Sequence, residues 1–232
     1  VTAIATPQRR QRGNSMLKTK IADPSRPGSL AHSARAKRWQ ELLRCFPDLA
    51  EMRVLDLGGT PASWRSAPVR PAHVVTVNLD PRAARQSEQG ITPVVADACT
   101  LSLPGNLSAE RFDLVYSNSV LEHVGGHHRR QQFADTVHAH GTHHWVQTPY
   151  RYFPVEPHWL FPGLQLLPFR VRVAVSQHWP HGHIPRSGRA QATRHVQEVE
   201  LLSLTEMRSY FSDSHIWIER LAGLPKSLVA RK

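Results

Sequence analysis

Apolar and polar positions along this chain fall into short blocks whose period changes from one region to the next. Between residues 29 and 46, Leu30, Trp39, Leu42, Leu43 and Phe46 recur mostly at helical spacing with charges between them. That predicts a helix, which Pro47 ends. Five short runs of strand character follow, at 53–57, 73–78, 92–96, 113–117 and 143–147. The gaps between them have room for the helices or loops of a βαβ series. Residues 103–110 read as a loop, punctuated by Pro104-Gly105-Asn106, and residues 133–140 as a helix under the fifth strand. Near the end the pattern predicts a helix at 205–211 and strands at 215–221 and 227–230. Gly223-Leu224-Pro225 sets a tight turn between those strands, which makes them an antiparallel pair.

Two stretches break the pattern. Residues 149–190 carry Pro149, Pro154, Pro157, Pro162, Pro168, Pro180 and Pro185, with aromatics at Tyr150, Tyr152, Phe153 and Trp159. They read as an inserted lid or acceptor-binding segment. Residues 1–28 are polar and basic, are interrupted by Pro7, Pro24 and Pro27, and read as a disordered leader. One domain, residues 29–232, is expected after it.

Charge changes the picture once it is located. The 232-residue chain has a net charge of +11, but residues 1–40 hold nine Lys/Arg against Asp23 alone. The rest is nearly neutral. A nucleic-acid or anionic-lipid contact is therefore confined to the basic stretch at 9–38, and a solvated tail explains it equally simply. No apolar run nears the roughly 18 residues that span a bilayer. The first residues have no signal-type apolar core, and Cys45 and Cys99 make no disulfide framework. A cytoplasmic setting is expected.

The chemistry concentrates at the ends of the predicted strands. Val54-Leu55-Asp56-Leu57 runs straight into Gly58-Gly59-Thr60. Glycine there removes Cβ atoms and permits positive φ, as a nucleotide-binding turn requires. The second strand ends in Asn78-Leu79-Asp80, about twenty residues on, where dinucleotide folds hold ribose hydroxyls. The third ends in Asp97-Ala98, and the fourth in Ser117-Asn118-Ser119. Val120-Leu121-Glu122-His123-Val124 then reads as the opening of a helix. Polar strand ends along one rim of a parallel sheet are where ligands bind in such folds.

In this order the segments resemble a class I S-adenosylmethionine-dependent methyltransferase of the methyltransferase 11 type. The resemblance covers about residues 30–232 and is strongest over 54–124. It implies a Rossmann-like α/β fold, with a mostly parallel seven-stranded sheet, an antiparallel last strand and helices on both faces. It also implies S-adenosyl-L-methionine as cofactor. Carried over residue by residue, Asp56, Gly58 and Gly59 border its methionine and ribose parts. Asn78, or less readily Asp80, takes the ribose diol. Asp97 and the Ala98 backbone face the adenine, and Ser117 and Asn118 close the site. Two departures stand out. The family's Gly-x-Gly-x-Gly is shortened to Gly58-Gly59-Thr60, and its ribose acid is Asn78.

Methyl transfer needs positioning above all, and an oxygen nucleophile also needs a base near neutral pKa. His123, Glu156 and His158 are the candidates. Glu122 and His123 have a simpler reading as residues that cap or pack a helix start. Tyr150, Tyr152 and Phe153 beside Glu156 and His158 suit acceptor recognition, or the filling of a core edge. Related methyltransferases often carry a similar Thr-Pro-aromatic-Pro-Glu-Pro-His segment. Residues 159–169 are apolar and suit the wall of a hydrophobic acceptor pocket, or a buried packing segment. No metal is expected, because none of the histidine groups, His178-His181-His183 included, has the spacing of a metal site.

The reading is therefore a methyltransferase acting on a small molecule, on an oxygen of a lipid, sugar or polyketide-like compound. An RNA-directed enzyme or nucleic-acid-binding protein, and a silent methyltransferase-like interaction protein, are the alternatives.

Overall fold

The computed structural model describes residues 29–85, 88–105, 107 and 111–232. The expected leader, residues 1–28, and much of the expected 103–110 loop lie outside them. The chain divides into two compact units, Val1–Trp39 and Gln40–Lys232. In the first unit the described residues open helix α1 (Leu30–Cys45), and Ser29 caps it, with its Oγ accepting from the His32 backbone N–H at 3.0 Å.

The second unit is built on a seven-stranded sheet. In chain order it comprises β1 (Arg53–Leu57), α2 (Pro61–Arg65), β2 (His73–Asn78), β3 (Ile91–Val95) and β4 (Phe112–Asn118). Then come α3 (His127–His140), β5 (Gly141–Pro149), a small hairpin of β6 (Val155–Glu156) and β7 (Phe161–Pro162), α4 (Phe169–His178) and α5 (Arg189–Gln197). It closes with α6 (Leu204–Tyr210), β8 (His215–Leu221) and β9 (Leu224–Arg231). The strand order is β3-β2-β1-β4-β5-β9-β8. β1 to β5 run parallel, and β9 lies antiparallel to both β5 and β8. This is the expected mostly parallel sheet with a reversed final strand.

The central strands are near-continuous apolar runs because both sheet faces are covered. Val54, Leu55, Leu57, Val74, Val75 and Val77 are buried, and Phe133 from α3, Met207 from α6 and Phe211 just after it share a core with Leu55, Leu57, Val75 and Val77. With β1 and β4 at its centre, the sheet brings the carboxyl ends of β1 to β5 to one edge.

Three expectations change. Residues 120–124 form a turn, and α3 starts only at His127, ahead of the expected 133. The added first half of α3, His127-His128-Arg129-Arg130-Gln131-Gln132, is polar and has no apolar period to reveal it. Its Arg130 is buried and donates to the backbone oxygen and carboxylate of Glu200 at 2.8 and 2.9 Å. The 149–190 segment also has regular structure. α4 and α5 share a satellite core of Trp159, Leu164, Val173, Ala192, Val196, Val199 and Leu201. Its prolines punctuate helices rather than prevent them, with Pro168 standing at the N-cap of α4. Among the described residues no helix is long and apolar enough to cross a membrane.

Candidate functional site

The glycine turn after β1 is locked from three sides. Gly58 has φ +86°, and a Cβ there would lie 2.3 Å from Val120 Cγ2. A Cβ on Gly59 would lie 1.7 Å from the Asp56 carboxylate. The Asn78 amide closes the third side, donating to the carbonyls of Gly58 and Gly59 at 3.0 and 3.1 Å. The glycines are thus required by the turn's own packing. Thr60 ends the turn as N-cap of α2, with Pro61 at its first position, so the residues that replace the missing glycine start a helix.

Asp56 is buried, and its Oδ2 accepts from the Trp64 indole N–H at 2.7 Å. Burial pushes its carboxyl up to about 7, against the lowering effect of that bond. Ser117 is likewise buried, and its hydroxyl donates to the Leu57 carbonyl at 2.9 Å. Ser117 therefore ties the end of β4 to that of β1, and Asp56 ties β1 to α2. Asn78 Oδ1 accepts from the Asp80 backbone at 2.9 Å and retains a second lone pair. The Asp80 carboxylate is held by Arg82 at 2.9 Å, which lowers its pKa. Asn118 and Ala98 are half-buried at the same edge.

At the end of β3, Asp97 accepts from the Cys99 backbone at 2.9 Å and from Arg129 at 2.8 and 2.6 Å. Burial raises its pKa, but these donors outweigh burial and hold it below the ordinary carboxylate value. Arg129 has no counterpart in the sequence reading, because only the β4–α3 connection brings it there.

The three acid–base candidates meet. His123 comes from the turn after β4; Glu156 and His158 come from the segment after β5, the next strand in the sheet. His158 Nδ1 lies 2.6 Å from Glu156 Oε1, and the two imidazole Nε2 atoms lie 3.1 Å apart, with the rings edge-on. The other Glu156 oxygen accepts from the backbones of His158 and Trp159, both at 2.8 Å. His123 Nδ1 is 3.3 Å from the Glu198 carbonyl. These partners place a proton on each Nδ1 and turn both Nε2 atoms toward each other. Burial lowers the His158 pKa, but the adjacent Glu156 carboxylate reverses the effect and holds it above the ordinary value. Burial, and then charge on His158, push His123 down. His158 thus holds the shared proton more readily than His123.

Glu122 joins the group from beneath. It is buried, its Oε2 accepts from Thr148 Oγ1 at 2.9 Å, and its Oε1 has no hydrogen-bond partner. Burial pushes its carboxyl up to about 7. In the sequence Glu122 reads as a helix cap; the fold makes it the floor of the cluster.

Glu156 also lines a cavity of about 430 Å³ within the inserted segment, together with Arg151, Trp159, Gln165, Arg172 and Glu200. The Trp159 indole N–H, Gln165 Oε1 and Arg172 Nε are buried without partners. The lining is mixed: Trp159, Leu164 and Phe169, from the residues expected as an apolar wall, share it with these polar groups. Trp159 and Leu164 point into the satellite core, and Leu166 and Phe169 are exposed.

A parallel sheet with this strand order and reversed final strand, and a polar rim starting at a glycine turn, is the Rossmann-like fold of class I methyltransferases. Residues 55–140 match the family model described as a methyltransferase domain. Solved structures share the fold at low identity. The N-methyltransferase NodS from Bradyrhizobium japonicum WM9, in complex with S-adenosyl-L-homocysteine, is 14% identical, with 93% of this chain and 94% of that chain covered and a TM-score of 0.50. An S-adenosylmethionine-dependent methyltransferase from Mesorhizobium loti is 16% identical, with 85% and 96% covered and a TM-score of 0.51. Magnesium protoporphyrin IX methyltransferase from Synechocystis PCC 6803, with bound S-adenosyl-L-homocysteine, is 10% identical, with 96% and 89% covered and a TM-score of 0.51. No curated protein sequence matches the chain.

Proposed function

We propose that this chain methylates an oxygen of a small polar acceptor, with residues 29–232 as the domain that does so. The observation that carries the reading is the His123–His158–Glu156 relay, in the segments that follow β4 and β5 on one side of the glycine turn. The cofactor, when bound, supplies an electrophilic methyl group on a sulfonium sulfur.

The residues at the rim fit that cofactor. Asn78 keeps one acceptor lone pair for a ribose hydroxyl, and Asp97 is partly exposed with room for an exocyclic amine. Gly58 and Gly59 keep the turn tight against Val120 and Asp56 beside the rim. Asp56 and Ser117 act one layer back, positioning that turn. On the acceptor side, His123 Nε2 is the lone pair that can take a hydroxyl proton when the acceptor oxygen displaces the His158 ring N–H from it. His158, anchored by Glu156, holds the ring pair in place. The cavity beside Glu156 sets Arg151, Arg172 and Gln165 against apolar side chains, which favours an acceptor with hydroxyl or anionic groups, such as a sugar derivative, over a plain lipid tail.

Two measurements test this. Calorimetric titration with S-adenosylhomocysteine should show binding that Asp97→Ala weakens; no binding to the wild type removes the enzyme reading and leaves the silent-protein alternative. Isotope-labelled cofactor with a panel of hydroxylated acceptors should then give a product whose rate falls about 100-fold in His123→Ala. An unchanged rate in that variant would remove the general-base role.

A further inference from the structure

We propose that Glu122, His123 and His158 form a binding site for a divalent transition cation of the zinc class. Each offers one ligand atom, and the three atoms lie within 4.8 Å of one another. The cluster meets the requirements of such a site in three respects.

The first is the direction of the lone pairs. Glu198 and Glu156 occupy both Nδ1 atoms, which turns the two Nε2 atoms toward each other across 3.1 Å; loss of the shared proton leaves a lone pair on each. Only a proton or a cation can sit between them. Two imidazoles on one tetrahedral zinc ion stand about 3.3 Å apart, at Zn–N distances of roughly 2.0–2.1 Å, so small ring movements suffice.

The second is the carboxylate. Glu122 Oε1 is fully buried, has no hydrogen-bond partner, and lies 4.0 Å from His123 Nε2. A buried carboxylate oxygen without a donor is costly unless a cation meets it.

The third is the surrounding support. Ligating histidines usually donate their other ring N–H to a carboxylate or carbonyl, and ligating carboxylates are themselves hydrogen-bonded. Here His158 has Glu156, His123 has the Glu198 carbonyl, and Glu122 has Thr148. Two histidines and one carboxylate leave a fourth position, as zinc sites that act on substrates do. The site opens at His123, whose side chain is 39% exposed, whereas that of Glu122 is fully covered. The absence of a metal expected from the sequence rested on spacing. The ligands come from two strand ends 35 residues apart, so no local spacing could reveal them.

That an acceptor oxygen takes the fourth position rests on the methyl-transfer reading, and there the cation, in place of the His123 lone pair it occupies, would ease loss of the hydroxyl proton; the cation site itself rests on geometry alone. The test is titration of chelator-treated full-length protein with Co²⁺, followed by the visible d–d absorption of the ion, and with Zn²⁺ by calorimetry. One equivalent should give the intense bands of a four-coordinate ion. Affinity should fall at least tenfold in His158→Ala and in Glu122→Gln. His123→Ala, at an exposed position, should do the same without loss of fold by circular dichroism. His181→Ala should leave binding unchanged. Weak octahedral bands, or binding unaltered in His123→Ala and His158→Ala, would overturn the proposal and leave a proton-sharing histidine pair. S-adenosylhomocysteine affinity measured on the same samples reads the methyltransferase assignment separately.

Discussion

Arg129, in the first turn of α3, holds both carboxylate oxygens of Asp97, at 2.8 and 2.6 Å. The residue that resemblance assigns to the adenine is therefore already oriented by a protein cation. Both side chains are about one third exposed, so water weakens the pair, and its net worth is roughly 1 kcal/mol or less. Arg129→Ala should weaken S-adenosylhomocysteine binding no more than about fivefold, the equivalent of 1 kcal/mol. Asp97→Ala should cost more, about tenfold or greater, because it removes the acceptor itself. Calorimetry on the two variants compares them; equal losses would mean that Asp97 acts only through Arg129.

The glycine turn separates backbone strain from steric clash. Gly223 has φ +80° with open space around its missing Cβ, so Gly223→Ala should cost about 1 kcal/mol through backbone strain alone. Gly58→Ala adds a 2.3 Å overlap with Val120, and Gly59→Ala drives a methyl group into the buried Asp56 carboxylate. Each should cost about 2–4 kcal/mol in urea unfolding. Equal effects at all three positions would show that the turn rearranges at little cost.

Asp56 makes stability depend on pH in an unusual direction. Its folded-state pKa, about 7, lies above the unfolded value of about 4. The folded protein holds the proton more tightly, so this contribution is complete below about pH 4 and is lost as pH rises through 7. Asp56→Asn should remove that slope. The unfolding free energy of the variant relative to wild type should rise by up to ~4 kcal/mol between pH 4 and 8.

His144 acts in the opposite sense. Burial, and then the nearby His138, push its pKa down to about 4, and its Nε2 sits 2.7 Å from Ser214 Oγ. The folded protein keeps this ring neutral. Its contribution is complete above about pH 6.5 and is lost as pH falls toward 4. His144→Gln should make the protein less sensitive to acid, by up to ~3 kcal/mol across that interval. Urea midpoints at pH 7 and 4.5 provide the check; parallel curves for variant and wild type would place His144 outside the linkage.

Element types were legible wherever burial imposed a period. The runs at 53–57 and 73–78 became strands with those same bounds because both their faces are covered. The first half of α3 and the helices of the insertion were not legible. Arg130 is buried by pairing with Glu200, a residue seventy positions away, and α4 and α5 bury their apolar sides on each other. A one-dimensional pattern reports local periodicity, not a distant partner.

The sequence by itself determined the strand order of chemistry: a glycine turn, then Asn78, Asp97, Ser117 and His123, each at the end of an apolar run. That order follows from the two-residue period of strands and from the need for polar groups where a strand leaves the core. Tertiary structure decided what each residue does. Parallel pairing of β4 with β5 brings His123 against His158, and burial strips Glu122 of water. The same packing turns Asp56 and Ser117 inward to hold the turn, and leaves Asn78 and Asp97 at the rim. A side chain's role depends on its solvent exposure and on its partners, and both are set only when distant strand ends meet at one edge.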